Sequence, residues 1–95
     1  MQFVNLDDVS LTTETAIEIL SIEVVRHNRA IPINFAGSAI TIAIDNLDED
    51  TMKTIRYLLP CCEVTFYLAT KSTMDRALAT VDKLNSDKLL LQLGT

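Results

Sequence analysis

Ile31-Pro32-Ile33-Asn34-Phe35-Ala36-Gly37-Ser38-Ala39-Ile40-Thr41-Ile42-Ala43-Ile44-Asp45 is the stretch on which the fold turns. Apolar side chains recur at every second position on either side of Gly37: Ile31, Ile33 and Phe35 before it, Ile40, Ile42 and Ile44 after it. A period of two is that of an extended strand with one buried face. Ala36-Gly37-Ser38 supplies the reversal, so the pair reads as a β-hairpin. Pro32 has no backbone N–H to donate, which confines it to the start of a strand or to a sheet edge.

Working outward, the period becomes helical on both sides. Val9 through Asn28 contains no Gly or Pro, and Ala16, Ile17, Leu20 and Val24 fall at helical spacing. Thr12 or Thr13 can cap this region, and Glu14 and Glu18 lie near the positive end of the backbone dipole. Ser21 ahead of Ile22-Glu23 is a second cap, so the region reads as one helix or two short ones. After the hairpin, Asp48 is a good N-cap, Met52, Ile55, Leu58 and Leu59 form an apolar stripe, and Pro60 ends the helix. Cys62, Val64, Phe66 and Leu68 alternate with Glu63, Thr65 and Tyr67 as a third strand. Ser72 with Asp75 resembles a capping box, and Met74, Ala77, Leu78, Val81 and Leu84 line one face of a last helix.

The element order is therefore α(α)ββαβα. A strand, helix, strand unit crosses over right-handed and sets the second and third strands parallel. The expectation is an α+β fold, a two-layer α/β sandwich with a three-stranded mixed sheet. Helices should cover the face carrying Ile33/Phe35, Ile40/Ile42/Ile44 and Val64/Phe66/Leu68. The 95 residues suffice for one domain, its core spanning about 9–85. The tail 86–95 carries leucines from Leu89 to Leu93, and these extend the helix, add an edge strand or dock on a second copy.

Charge is unevenly spread. Residues 1–50 hold nine acids against Arg26 and Arg29, whereas residues 51–95 hold six bases against four acids, for a net −5. An acidic chain without a Lys/Arg cluster repels phosphate backbones, which disfavours nucleic acid and anionic membrane as partners. No apolar run approaches the roughly 20 residues that cross a bilayer, and the first eight residues lack a basic start and an apolar signal segment. A soluble, cytoplasmic protein without direct membrane insertion is expected.

Catalytic patterns are missing from the sequence. With Gly only at 37 and 94, neither a P-loop nor a dinucleotide-binding turn can be formed. His27 has no spaced nucleophile or acid partner, and reads as a capping or surface residue. Cys61 and Cys62 are adjacent, which is no disulfide framework; they read as core thiols leading into a strand. The acids Asp45, Asp48, Glu49 and Asp50 lack the spacing and central Gly of a calcium loop, and read as a capped helix start. The expectation is a non-enzyme with no cofactor and no metal.

The stretch from about Val9 to Leu84 resembles the N-terminal domain of type II secretion and type IV pilus assembly ATPases. Leu20-Ser21-Ile22-Glu23-Val24-Val25-Arg26 is similar to the family's helical segment before its first strand. Ile31-Pro32-Ile33 resembles its leucine-proline-leucine opening, and Ala39-Ile40-Thr41-Ile42-Ala43-Ile44-Asp45 its following strand. Glu63-Val64, Leu68-Ala69 and Ser72 to Leu78 then match in order. Asn46 stands where the family usually has proline, and Pro60-Cys61 replaces its glycine. The resemblance implies two short helices broken near Ser21. It also implies that relatives binding cyclic di-GMP do so through Arg-Leu-Gly segments upstream; this chain has no Arg-Leu-Gly, and its Met1 start leaves no room for them. The ATPase domains that normally follow are absent, so the chain reads as a fragment or a free-standing module.

The functional expectation is a non-catalytic interaction or regulatory module whose partner is a component of a secretion or pilus motor or its platform. Polar positions off the apolar stripes are the candidate contacts: Arg26, Arg29, Asp48, Glu49, Lys53 and Arg56. A homodimer through the tail is a further expectation. The alternative is a small-ligand or nucleotide sensor with a cleft near Thr41, Thr65 and Tyr67.

Overall fold

A computed structural model of the chain describes residues 2–11 and 18–93, with side chains as far as 87. The elements in chain order are β1 (Gln2–Phe3), a 3₁₀ turn (Leu6–Asp8), α1 (Ile22–Asn28), β2 (Ala30–Ala36), β3 (Ala39–Ile44), α2 (Glu49–Leu58), β4 (Glu63–Leu68) and α3 (Lys71–Leu93). The sheet has four strands in the order β1-β4-β3-β2. β2 and β3 form the antiparallel hairpin, β3 and β4 are parallel, and β1 adds a parallel strand beyond β4. The architecture is thus the expected α+β sandwich on a mixed sheet, with one strand more than the three expected.

The extra strand is β1. Its two residues pair with Tyr67 and Leu68, and the Val4 N–H donates to the Leu68 carbonyl at 2.9 Å. Nothing in Gln2-Phe3 itself carries a period; the pairing comes from a neighbour 65 residues away.

Alternation places Ile40, Ile42 and Ile44 beside Val64, Phe66 and Leu68 on one face. Thr41 pairs with Thr65 and Ala43 with Tyr67 on the other. In β2 the single apolar face read from Ile31, Ile33 and Phe35 is split. The register slips between Pro32 and Asn34, leaving Ile33 as an extra residue, so Ile31 lies opposite Ala43 whereas Phe35 lies opposite Ile40. One inserted residue exchanges the two faces of the strand. Burial does not follow the exchange of faces: Ile31, beside Ala43, has no exposed surface, while Phe35, beside Ile40 at the turn end of the hairpin, is 47 % exposed. The hairpin closes through Gly37-Ser38, with positive φ at Gly37 alone of the two, the arrangement of a II′ turn and one that glycine adopts without strain.

The helix boundaries follow local chemistry. Ser21 is extended, and its side chain accepts from the Val24 N–H, so the first helical region does not run through it; α1 starts at Ile22. Upstream, Leu6–Asp8 forms the 3₁₀ turn and Val9 is extended, so no helix begins at Val9. The expected helical pattern at Thr12, Thr13, Glu14, Ala16 and Ile17 lies outside the described residues. Asp48 caps α2 as read: its side chain accepts from the Asp50 N–H at 3.1 Å and from the Thr51 hydroxyl at 3.1 Å. α3 is capped two residues earlier than expected. The Thr70 hydroxyl accepts from the Thr73 N–H at 3.3 Å and the Thr70 carbonyl from the Met74 N–H, so Ser72 is inside the helix. Continuing to Leu93, α3 takes the leucine tail into the helix.

A single core joins the layers, with Ile42, Ile44, Ile55, Met74, Val25 and Val81 among its fully buried side chains. Cys62 is half-buried against this core, but Cys61 is exposed; both thiols are free. Cys61 is therefore not the core thiol expected, because the turn after Pro60 carries it outward. No helix of the described residues is long and apolar enough to cross a membrane.

Candidate functional site

The carboxyl ends of the parallel strands β1, β3 and β4 lie at one end of the sheet, where α3 begins. Three open clefts gather there. One of about 350 Å³ is bounded by Arg29, Asp45, Asn46 and Lys71. A second, of about 230 Å³, lies among Phe3, Val4, Asp45, Leu68, Ala69 and Thr70. The third, of about 380 Å³, lies among Phe3, Val4, Asn5, Asp7, Thr70 and Thr73. Crevices outside the carboxyl ends of parallel strands are where open α/β sheets commonly place ligands, because the chain leaves the sheet there and its loops diverge.

Arg29 organises this end. It closes α1 in the left-handed conformation (φ 51°, ψ 50°), its N–H donating to the Val25 carbonyl. The guanidinium reaches Asp45 after β3 at 2.5 Å and Asp75 in α3 at 2.6 Å. The hydrogen bonds that Arg29 donates to Asp75 and then to Asp45 raise its pKa above its already high ordinary value, so the residue is a permanent cation. The Asp45 side chain is only 9 % exposed and the Arg29 side chain 33 %. A further pair flanks the third cleft: Arg76 holds Asp7 through two hydrogen bonds, 3.0 and 2.6 Å. The bond to Arg76 lowers the Asp7 pKa, and Asp7 raises that of Arg76. At the first cleft, both carboxylates contacting Arg29 are committed to it. Lys71, in the first turn of α3, and Asn46 line the same cleft.

The six residues read as contacts fall into two groups. Arg26 and Arg29 sit at the end of α1 and are engaged, Arg26 with Asp82 of α3 at 3.3 Å. Asp48, Glu49, Lys53 and Arg56 belong to α2 and its cap, where Asp48 is spent on capping and Arg56 lies over the Phe66 ring, 5.1 Å from its centroid. Thr41, Thr65 and Tyr67 share a sheet face as expected from alternation, yet none of the three lines the strand-end clefts. Sequence reasoning missed Asn46, Lys71 and Asp75, which lie in three separate segments and are gathered only by the crossover and the start of α3. His27 is exposed in the last turn of α1. Among the described residues no three His, Cys, Asp or Glu side chains come together as a metal-binding group.

A family model, the MshEN domain, matches residues 1–84. The chain belongs to the MshEN family. This is the N-terminal domain of type II secretion and type IV pilus ATPases, the family that the strand and helix patterns resemble. Among solved structures, that of MshE with cdg superposes on this MshEN domain with a TM-score of 0.77 at 17 % identity. The match covers 85 % of this chain and 58 % of that one, so the chain spans somewhat over half of the structure it matches. At that identity the likeness is one of fold. No curated protein matches the chain. MshEN is the N-terminal module and not the catalytic ATPase domain.

Proposed function

We propose that this MshEN domain is a regulatory module that senses a small anionic ligand of the cyclic dinucleotide class and relays its presence to a secretion or pilus ATPase. The supporting observation is the family membership together with the shared fold of MshE, which was solved with cdg. Since this chain has no Arg-Leu-Gly, recognition is assigned to other groups, at the strand-end clefts. There Lys71, Asn46 and the first turn of α3 offer a cation, an amide and backbone donors to a phosphate.

Titration of the 95-residue chain with labelled cyclic di-GMP tests the reading, with thermal melting alongside. Saturable binding is expected, with a raised melting temperature; ligand at 100 times its dissociation constant adds about 2.7 kcal/mol of stability. Lys71→Glu should weaken binding at least about tenfold by placing a carboxylate against phosphate. A folded chain that binds no cyclic dinucleotide overturns the proposal.

A second reading, contact with a protein of the motor or its platform, is favoured by α2. Its Tyr57 is 83 % exposed and Leu58 44 %, beside the exposed Glu49, Lys53 and Arg56. The same titration separates the two: absence of ligand binding, with capture of a motor component that Tyr57→Ala abolishes, establishes the second.

A further inference from the structure

We infer that the outward face of α2 docks on the same face of a second copy of this chain, the two helices running antiparallel about a two-fold axis. At 3.6 residues per turn, Asp50, Lys53 and Tyr57 lie on the side opposite Ile55, the fully buried residue of α2, with Glu49 and Arg56 together on one flank. All five are exposed. Charge is segregated along this ridge: Glu49 and Asp50 occupy the first turn, Lys53 the middle and Arg56 the last turn.

The segregation makes the two ends of the face complementary to each other, with Lys53 meeting its own copy at the middle, where its long side chain must splay aside. A two-fold axis near Lys53 and Thr54 brings Arg56 of one copy alongside Glu49 of the other, and Tyr57 alongside Asp50, whose carboxylate can accept from the phenol. Each of these contacts occurs twice, as an isologous interface requires. The antiparallel sense also sets the positive end of each helix dipole beside the negative end of its neighbour. A parallel arrangement would oppose acid to acid and base to base.

Glu49, Asp50 and Lys53 are available for this, and Arg56 can reach a carboxylate from the edge of the Phe66 ring on which it is stacked. Among the described residues Glu49, Asp50, Lys53 and Arg56 have no ion-pair partner in their own chain, whereas Arg26, Arg29 and Arg76 all do. Tyr57, the most exposed large apolar side chain among the described residues, supplies an apolar contact on either side of the axis, and tyrosine is enriched in interfaces. One ten-residue helix covers less area than the roughly 800 Å² per partner of a stable complex, so the association is weak and concentration-dependent.

The test is sedimentation equilibrium of the 95-residue chain up to about 1 mM, where an affinity of that weakness is read. The average mass should rise from 10.6 kDa toward twice that value and fall back in high salt. Glu49→Lys with Asp50→Lys, and separately Lys53→Glu with Arg56→Glu, should each raise the dimer dissociation constant about tenfold or more. Mixing the two variants in equal amounts should restore association as a heterodimer. Circular dichroism of each variant establishes that it is folded. A chain that stays at 10.6 kDa throughout overturns the inference. So does a dimer that both variants retain, which would move the contact to the Leu89–Leu93 segment, and so does a mixture of folded variants that fails to associate.

Discussion

α2 and α3 flank the same sheet and are held in different ways. α3 is tied by charge as well as by packing: Asp75 to Arg29, Asp82 to Arg26, and Arg76 to Asp7 of the 3₁₀ turn. α2 has no such ion pair among the described residues. It rests on Ile55, on half-buried Met52 and Leu59, and on one stacked guanidinium over Phe66. A helix anchored at several points along its length fixes the end of the sheet from which it starts. A helix anchored by an apolar stripe and one stacked guanidinium leaves Glu49, Asp50 and Lys53 without an ion pair among the described residues. The first condition holds the crevice at that end in shape, and the second leaves an exposed, charged face.

The difference can be broken from either side. Ile55→Ala removes the central anchor of α2 and should cost about 3 kcal/mol, read by urea denaturation. Hydrogen exchange should quicken in α2 before α3 is affected. Comparable exchange rates in both helices would show that they are one cooperative unit and that the contrast is only geometric. On the other side, Arg29→Ala strips the partner from the nearly buried Asp45, at an expected cost of about 2 kcal/mol. Arg29→Gly should be milder by about 1 kcal/mol, since glycine occupies the left-handed conformation without strain. Equal losses in the two variants would place the whole effect in the ion pairs.

Smaller effects sharpen the comparison. Asp48→Ala removes the N-cap of α2 and should cost about 1 kcal/mol by thermal melting, with no change at the strand-end clefts. The pair between Asp7 and Arg76 should appear as an acid limb of stability. The folded pKa of Asp7 is lowered, so its contribution is complete above the unfolded carboxylate value, about 3.9, and is lost as pH falls through the folded value. Asp7→Asn should therefore flatten that limb. Melting temperatures of the two proteins should differ slightly at neutral pH and converge in acid; curves that stay parallel down to pH 2 would assign the limb to other carboxylates.

How much of this was legible depended on the range of the cause. β3, β4 and α2 carry their own period and cap, and Asp48, Met52 and Ile55 act as their spacing says. β1 has no pattern because its partner, not its sequence, makes it a strand. The slip at Ile33 is invisible for a different reason: Ile31, Ile33 and Phe35 keep a spacing of two whether or not a residue is inserted into the ladder. Thr70, Ser72 and Thr73 are all competent caps, and only the geometry of the strand exit selects Thr70. The strand-end site was the least legible part. Arg29 stands out in the sequence only as a polar position off the apolar stripes, while Asp75 lies 46 residues from it, a separation no local pattern encodes.

β2 is the outermost strand of the sheet, and the slip at Ile33 next to Pro32 bears on what else can pair with it. A proline withholds a donor, and an inserted residue twists the strand out of plane. Both discourage a foreign chain from extending a sheet edge, the first step toward fibrils. Only the three residues Asn34–Ala36 remain as regular free edge. The strand that opens the hairpin thus carries its own safeguard against polymerisation, and crowding of many copies raises no risk along most of that edge.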